Sequence, residues 1–189
     1  MNIDYKMFHD LESYLFGEVH NRFQQRGHLE AFDFFSIVIW KANRAKSRVA
    51  RNLLSAGNGH DNLHEAVKAL TFGISQQAGP KERMQYLWEK WNFRLAMASA
   101  ILTVLYPDEF TIYDFRVCQT LDAFHNLKNL SNFEKVWTGY QAYKHKVQVT
   151  APSHLSLRDK DRYLWGQSFY QQLNKDIAQG FMREENETE

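Results

Sequence analysis

Residues 98–117, ASAILTVLYPDEFTIYDFRV, constrain the fold more than any other segment of this 189-residue chain. A small-residue, apolar helix is predicted to end at Tyr106-Pro107, because proline cannot continue a helix and disfavours helical geometry in the residue before it. A turn follows, and Asp114 then stands directly before a new apolar-periodic run, where a helix N-cap is preferred. The segment therefore predicts a buried helix, a turn, and a second helix that begins at a carboxylate.

The composition indicates one helical domain. The chain is 44% hydrophobic and contains only three prolines and nine glycines, too few for a protein made of many β-hairpins. Its length suffices to bury a sizeable core. We predict an all-α domain over residues 1–182, followed by a flexible acidic tail at 183–189.

Apolar periodicity predicts eight helices joined by short connections. Pro80 suits the first turn of the fourth helix, and Ser156 with Asp159 has the spacing of a capping box. Residues 147–150 are predicted to be a short extended piece, and residues 55–59 a turn that ends the second helix. The predicted helices cover about 4–25, 32–54, 61–77, 80–90, 94–105, 114–125, 132–146 and 157–178.

Charge and cysteine content exclude several classes of protein. The last seven residues hold four acidic residues and one basic residue; the remaining 22 basic and 18 acidic residues give the rest of the chain a net charge of +4. The single cysteine, Cys118, excludes an internal disulfide and a four-cysteine metal centre. We see no secretory signal and no apolar run long enough to span a bilayer, so we expect a cytoplasmic protein.

A basic stripe is predicted on the second helix. Lys41, Arg44, Arg48 and Arg51 recur at spacings of three, four and three, which places them on one helical face. The stripe has two interpretations, a solvated surface or a phosphate-binding surface.

The helix, the Pro-Asp turn and the capping Asp114 resemble the catalytic core of the helix-hairpin-helix DNA glycosylases. Residues 155–166, LSLRDKDRYLWG, resemble the closing helix of small bacterial proteins with an oxoguanine-glycosylase-like fold. The resemblance extends over about residues 34–170. It implies a compact helical fold of the glycosylase type and hydrolysis of the N-glycosidic bond of a damaged or modified base. It implies no metal and no organic cofactor.

The same resemblance implies the residues of the site. Asp114 would be the catalytic carboxylate, which stabilises positive charge on the sugar and orients a water molecule; the alternative is that it only caps its helix. Asp161, Trp165 and Tyr113 would form the base pocket, where a flipped base stacks on an aromatic ring. For Asp161 and Trp165 the alternative is an ordinary capped amphipathic helix.

DNA contacts are implied at two segments. Lys41-Ala42-Asn43-Arg44 resembles the segment that wedges into DNA, with Asn43 or Arg44 as the wedge. The turn at 90–94, with Asn92 and Arg94, stands where the family has a glycine-containing hairpin; Asn92 can replace the glycine because asparagine tolerates left-handed geometry. The family's nucleophilic lysine follows that turn, but residues 95–97 are Leu, Ala and Met. We therefore expect a monofunctional enzyme.

The expected partner is double-stranded DNA with a flipped modified base, bound by a monomer and without a membrane. An oxidised purine and a hypermodified phage cytosine both remain open as the substrate base, as do repair and phage defence as the role. Two alternatives to catalysis also remain: a catalytically silent DNA-binding module of the same fold, and a helical protein-interaction domain whose basic stripe meets an acidic partner.

Overall fold

The computed structural model describes residues 4–55 and 59–181, and within these residues the chain is helical and contains no strand. The predicted all-α fold is confirmed. Short 3₁₀ turns lie at Tyr5–Phe8, Asn43–Ala45 and His125–Asn129. Among the described residues the helices are α1 (11–26), α2 (Ala31–Ala42 and, after a break, Lys46–Ser55), α3 (Leu63–Ser75), α4 (80–90), α5 (Leu95–Leu105), α6 (Phe115–Leu121), α7 (Phe133–Thr150) and α8 (Leu157–Ala178).

Local signals in the sequence set several helix ends. Pro80 occupies the first turn of α4, where its missing N–H costs no hydrogen bond. Asn62 caps α3 by accepting a hydrogen bond from the Glu65 N–H at 3.0 Å. Ser156 caps α8 by accepting from the Asp159 N–H at 3.1 Å. These caps confirm the predicted starts of the two helices and of α4.

The second helix is not continuous, which corrects the prediction for residues 32–54. At Ala42 the backbone leaves helical geometry, with φ −161° and ψ 85°. A 3₁₀ turn follows, and the Lys46 ammonium donates to Asn43 Oδ1 at 2.8 Å, which stabilises the break. Residues on the two sides of the break therefore no longer follow one helical face.

Three other helices differ in length from their predictions. Helix α1 begins at Leu11 rather than near residue 4, because Asp10 caps it and a 3₁₀ turn precedes it. The predicted extended piece at 147–150 is helical, because Tyr140, Tyr143 and Val147 are all fully buried at helical spacing and α7 continues with them. Helix α6 is shorter than predicted, since Asp122 adopts the left-handed conformation that ends it. The predicted turn at 55–59 falls largely, and the predicted tail entirely, outside the described residues.

Helix α5 forms the centre of the core. Every residue from 98 to 105 is fully buried, including the polar Ser99 and Thr103. The helix packs against α1, α2 and α4. Small residues in its first half allow this close approach, and the chain leaves the helix at Tyr106 as predicted.

Residues 110–113 form a buried segment without regular secondary structure, and α7 holds it in place. The Tyr140 hydroxyl accepts from the Thr111 N–H at 3.0 Å and donates to the Thr111 carbonyl at 2.7 Å. The Tyr143 hydroxyl donates to the Ile112 carbonyl at 2.7 Å. Buried backbone groups need such partners because water does not reach them.

Helix α5 supplies a further support to the same segment. The Ser99 hydroxyl oxygen accepts from the Tyr113 N–H at 3.0 Å. The segment is thus attached to α5 on one side and to α7 on the other, and it delivers Asp114 to the start of α6 in one defined position.

We predict that Tyr140→Phe lowers the free energy of unfolding by about 1–3 kcal/mol, because the buried N–H and carbonyl of Thr111 lose their partner. Urea denaturation measures the change. Tyr170→Phe, at an exposed position on α8, is the matched control and should leave stability unchanged. Equal stability of the two variants would contradict the supporting role of Tyr140.

Candidate active site and nucleic-acid interface

A pocket of about 400 Å³ lies where α1, α2, α6 and α8 meet. Its lining combines three carboxylates, three cationic side chains, two tryptophans and one isoleucine. Such a mixture of charged groups and aromatic surface suits an aromatic ligand with polar edges. The lining residues are Glu12, Trp40, Lys41, Ile112, Asp114, Arg158, Asp161, Arg162 and Trp165.

Asp114 and Lys41 form an ion pair in the wall of this pocket. The Lys41 Nζ donates to Asp114 Oδ2 at 2.5 Å, and the two side chains are only 25% and 14% exposed for Asp114 and Lys41 respectively. The other carboxylate oxygen, Oδ1, accepts from the Arg116 N–H at 3.0 Å and so caps α6. Asp114 is therefore both a helix cap and a group that faces a ligand pocket.

Asp161, on α8, is the second carboxyl group with a distinct environment. The residue is only 3% exposed, and its Oδ2 accepts a hydrogen bond from Arg158. Burial raises the pKa of Asp161 to about 6, even though the positive charges of Arg158 and Lys41 act in the opposite direction. This carboxyl group therefore exchanges its proton closer to neutral pH than an ordinary aspartate does.

Arg158 is held from three sides. Its guanidinium donates to Glu12 of α1 as well as to Asp161. It also lies over two rings, with its Cζ 4.8 Å from the centroid of Phe16 and 5.4 Å from that of Trp40. These contacts give the pocket a floor of paired charges in which each cation has a fixed position.

The rim of the pocket is aromatic. Trp165 is 43% exposed and stacks on Phe169, with their ring centroids 5.8 Å apart and their planes 7° from parallel. The Arg116 guanidinium lies 5.4 Å from the Trp165 centroid. Phe115, next to Asp114, is 60% exposed. Exposed rings of this kind are suited to stacking on a nucleobase.

Two of the three predicted base-pocket residues line the pocket, and the third does not. Asp161 and Trp165 line the pocket together with Asp114. Tyr113 does not line it, which corrects that assignment: the residue is buried, and its hydroxyl donates to the Phe124 carbonyl at 2.7 Å. In an extended segment successive side chains point to opposite sides, so Ile112 and Asp114 face the pocket and Tyr113 faces away.

The break in α2 also divides the predicted basic stripe. Lys41 precedes the break in α2 and points into the pocket, whereas Arg44, Arg48 and Arg51 are exposed on the part that follows. Asn43 is exposed in the turn between them. The prediction of one uninterrupted stripe is therefore wrong, and three of its four cations form a separate surface.

A second hollow, of about 270 Å³, lies between the end of α2 and the start of α5. Arg48 and Arg94 both line it. Asn92 adopts the predicted left-handed conformation, with φ 52°. The Asn52 amide donates to the Trp91 carbonyl at 2.5 Å and so fastens this turn to α2.

The start of α5 opens into the same hollow. No side chain caps this helix at Arg94, and Arg94 and Met97 at its start line the hollow. Helix N-termini attract anions, and the two arginines add positive charge. The hollow therefore has the chemistry of a phosphate-binding site.

Sequence reasoning missed five residues of the first pocket: Glu12, Trp40, Ile112, Arg158 and Arg162. For the two arginines a signal was present, since they share one face of α8 with spacing i, i+4. Glu12 meets Arg158 across 146 positions of the chain, and no local pattern predicts such a contact. The pairing of Lys41 with Asp114 across 73 positions was missed for the same reason.

No described helix is long and apolar enough to cross a membrane. Comparisons of the chain with protein-family models, with curated proteins and with solved structures gave no match. The functional interpretation therefore depends on the geometry of the two hollows.

Proposed function

We propose that this protein is a DNA glycosylase that cleaves the N-glycosidic bond of a damaged or modified base. The observation that carries the proposal is the Lys41–Asp114 ion pair in the wall of the pocket of about 400 Å³. A base turned out of the duplex would stack on Trp165 at the rim, and its sugar would lie against the ion pair. The charged and aromatic lining supports this placement.

Asp114 supplies negative charge where the sugar becomes positive. As the bond between C1′ and the base breaks, the sugar acquires oxocarbenium character, as in other glycosidic cleavages. The Arg116 N–H donates to Asp114 Oδ1 at the start of α6 and so fixes the position of the carboxylate. The carboxylate thus stabilises the transition state by a preorganised charge.

Lys41 changes the expected route after base release. The sequence predicts attack by water, because residues 95–97 contain no lysine; the structure brings a lysine to the carboxylate from α2 instead. The Lys41 Nζ lies 2.5 Å from Asp114 Oδ2, which puts an amine beside the proposed catalytic carboxylate. We therefore assign the attack to Lys41.

Bond breaking and bond making balance along this route. The C1′–N bond breaks and its electron pair leaves with the base. The Lys41 ammonium then passes one proton to Asp114, and the freed Nζ lone pair forms a bond to C1′. Nζ then gives up one proton and O4′ receives one through the Asp114 carboxyl group, the C1′–O4′ bond breaks with its electron pair on O4′, and the remaining Nζ lone pair forms the iminium bond to C1′, a Schiff base.

The second hollow would bind the DNA backbone. Arg48, Arg94 and the start of α5 surround it with positive charge, and Arg44 and Arg51 are exposed nearby in the chain. Phosphate contacts of this kind position a duplex without reading its sequence.

Asp114→Asn should lower the rate of base release at least ~100-fold and leave DNA affinity nearly unchanged, because the amide keeps the size and the capping bond but not the charge. The assay scores abasic sites after incubation with duplexes that carry oxidised purines, hypermodified cytosines and other modified bases. Asp122→Asn, at the exposed other end of α6, is the matched control. If the Asp114→Asn variant releases the base as fast as the unaltered protein, Asp114 is only a cap. If the unaltered protein binds DNA but releases none of these bases, the alternative of a catalytically silent DNA-binding module is favoured.

Borohydride should trap a covalent complex between the protein and substrate DNA, because it reduces the Schiff base to a stable amine. Lys41→Gln should abolish the trapped complex, while Lys146→Gln, on an exposed lysine of α7, should keep it. Denaturing gel electrophoresis measures the adduct. Abasic sites formed without any adduct would show that water attacks, as the sequence alone predicts.

Arg48→Ala and Arg44→Ala should each weaken duplex binding, and each should reduce the dependence of log affinity on log salt by about one phosphate contact. Fluorescence anisotropy at several salt concentrations measures the slope. Lys68→Ala is the control, because Lys68 is already paired with Glu30 at 3.1 Å. Unchanged slopes in both arginine variants would assign this surface to solvent or to a protein partner.

A further inference from the structure

Two carboxyl groups of the first pocket lie in opposed environments. Asp114 is partly exposed, is paired with Lys41 and caps a helix. Asp161 is almost completely buried, and among the described residues its only hydrogen bond is the one it accepts from Arg158. Catalytic sites that use one carboxyl group as a base or charge and a second as an acid show this division.

We propose that Asp161 is the general acid of this pocket and protonates the base as the glycosidic bond breaks. The proton moves from the Asp161 carboxyl oxygen to a nitrogen or oxygen of the base, which takes the electron pair of the C1′–N bond and leaves neutral. Asp161 becomes a carboxylate paired with Arg158. This inference rests on the proposed function, because it assigns a second catalytic group to the same reaction.

The position of Asp161 suits contact with a base edge. Asp161 and Trp165 are four residues apart on α8, so they are neighbours on one helical face, and both line the pocket. A base stacked on the Trp165 ring therefore presents an edge toward Asp161. Arg158 occupies Oδ2, and no hydrogen bond among the described residues involves Oδ1, which leaves that oxygen for the ligand.

Arg158 stabilises the carboxylate that forms after proton transfer. Its charge is shared between Asp161 and Glu12, and its contacts with Phe16 and Trp40 keep it in place. The cation therefore does not have to move during the reaction, which is the condition for efficient electrostatic support.

The charges around Asp161 leave its proton exchangeable near neutral pH. Burial and the negative charge of Asp114 raise its pKa, Arg158 and Lys41 lower it, and the net result is about 6. The remaining charged groups of the pocket, Glu12 and Arg162, are paired with each other at 2.9 Å. From α7, the hydroxyls of Tyr140 and Tyr143 face the same region and stay protonated, since burial raises the pKa of each.

The experiment measures single-turnover base release between pH 5 and pH 8. It uses two duplexes: one with the neutral base identified as the substrate, and one with the ring-methylated, permanently cationic form of that base. A cationic base needs no acid, because it leaves neutral without a proton. For the unaltered protein, release of the neutral base should slow as the pH rises above about 6, and release of the cationic base should not.

Asp161→Asn should slow release of the neutral base by about 100-fold and remove its decline above pH 6. The same variant should release the cationic base at close to the original rate. Asp176→Asn, on α8 but outside the pocket, is the control and should behave as the unaltered protein.

Two results separate failure of the inference from failure of the proposed function. No base release from any duplex by the unaltered protein would overturn the proposed function and the inference with it. Base release with equal losses on both bases, or with the same pH profile for both, would overturn only the role of Asp161 as an acid. If the Asp161→Asn variant does not fold, the pH profiles of the two bases with the unaltered protein still test whether the pocket supplies a general acid.

Discussion

The site depends on the need of a buried, non-helical backbone for hydrogen-bond partners. Residues 110–113 lie in the core, where their N–H and carbonyl groups cannot reach water. Tyr140, Tyr143 and Ser99 supply those partners from the flanking helices. These bonds fix the segment in a single position, so the side chain of Asp114 enters the pocket at a defined point. The chemistry of the pocket follows from that position.

The pocket itself is an arrangement of paired charges. A buried or half-buried charge destabilises the fold unless it has a partner of opposite charge. Here Lys41 forms an ion pair with Asp114, and Arg158 forms ion pairs with both Glu12 and Asp161. The two aspartates differ in their ion pairs and in their exposure. Asp114 is the sole partner of Lys41 in the pocket and is partly exposed to solvent. Asp161 is buried and shares Arg158 with Glu12. The same pocket therefore holds two aspartates in different environments, and burial raises the pKa of Asp161 to about 6.

Particular elements show where sequence reasoning succeeded. Ser156 and Asp114 cap helices where predicted, and Asn92 adopts the left-handed geometry required of its turn. Each of these features involves groups only a few residues apart. The break at Ala42 was missed because the apolar positions on both sides of it still follow a helical repeat.

The sequence by itself determined the all-α class, most helix ends, and the placement of Asp114 at the start of a helix, because these depend on interactions within one or two turns of the chain. Only the tertiary structure decided that Lys41 meets Asp114, that Glu12 meets Arg158, and that Tyr113 faces away from the pocket. Such contacts depend on how helices pack and rotate against one another. Residues far apart in the chain set that packing jointly, so no local pattern contains it.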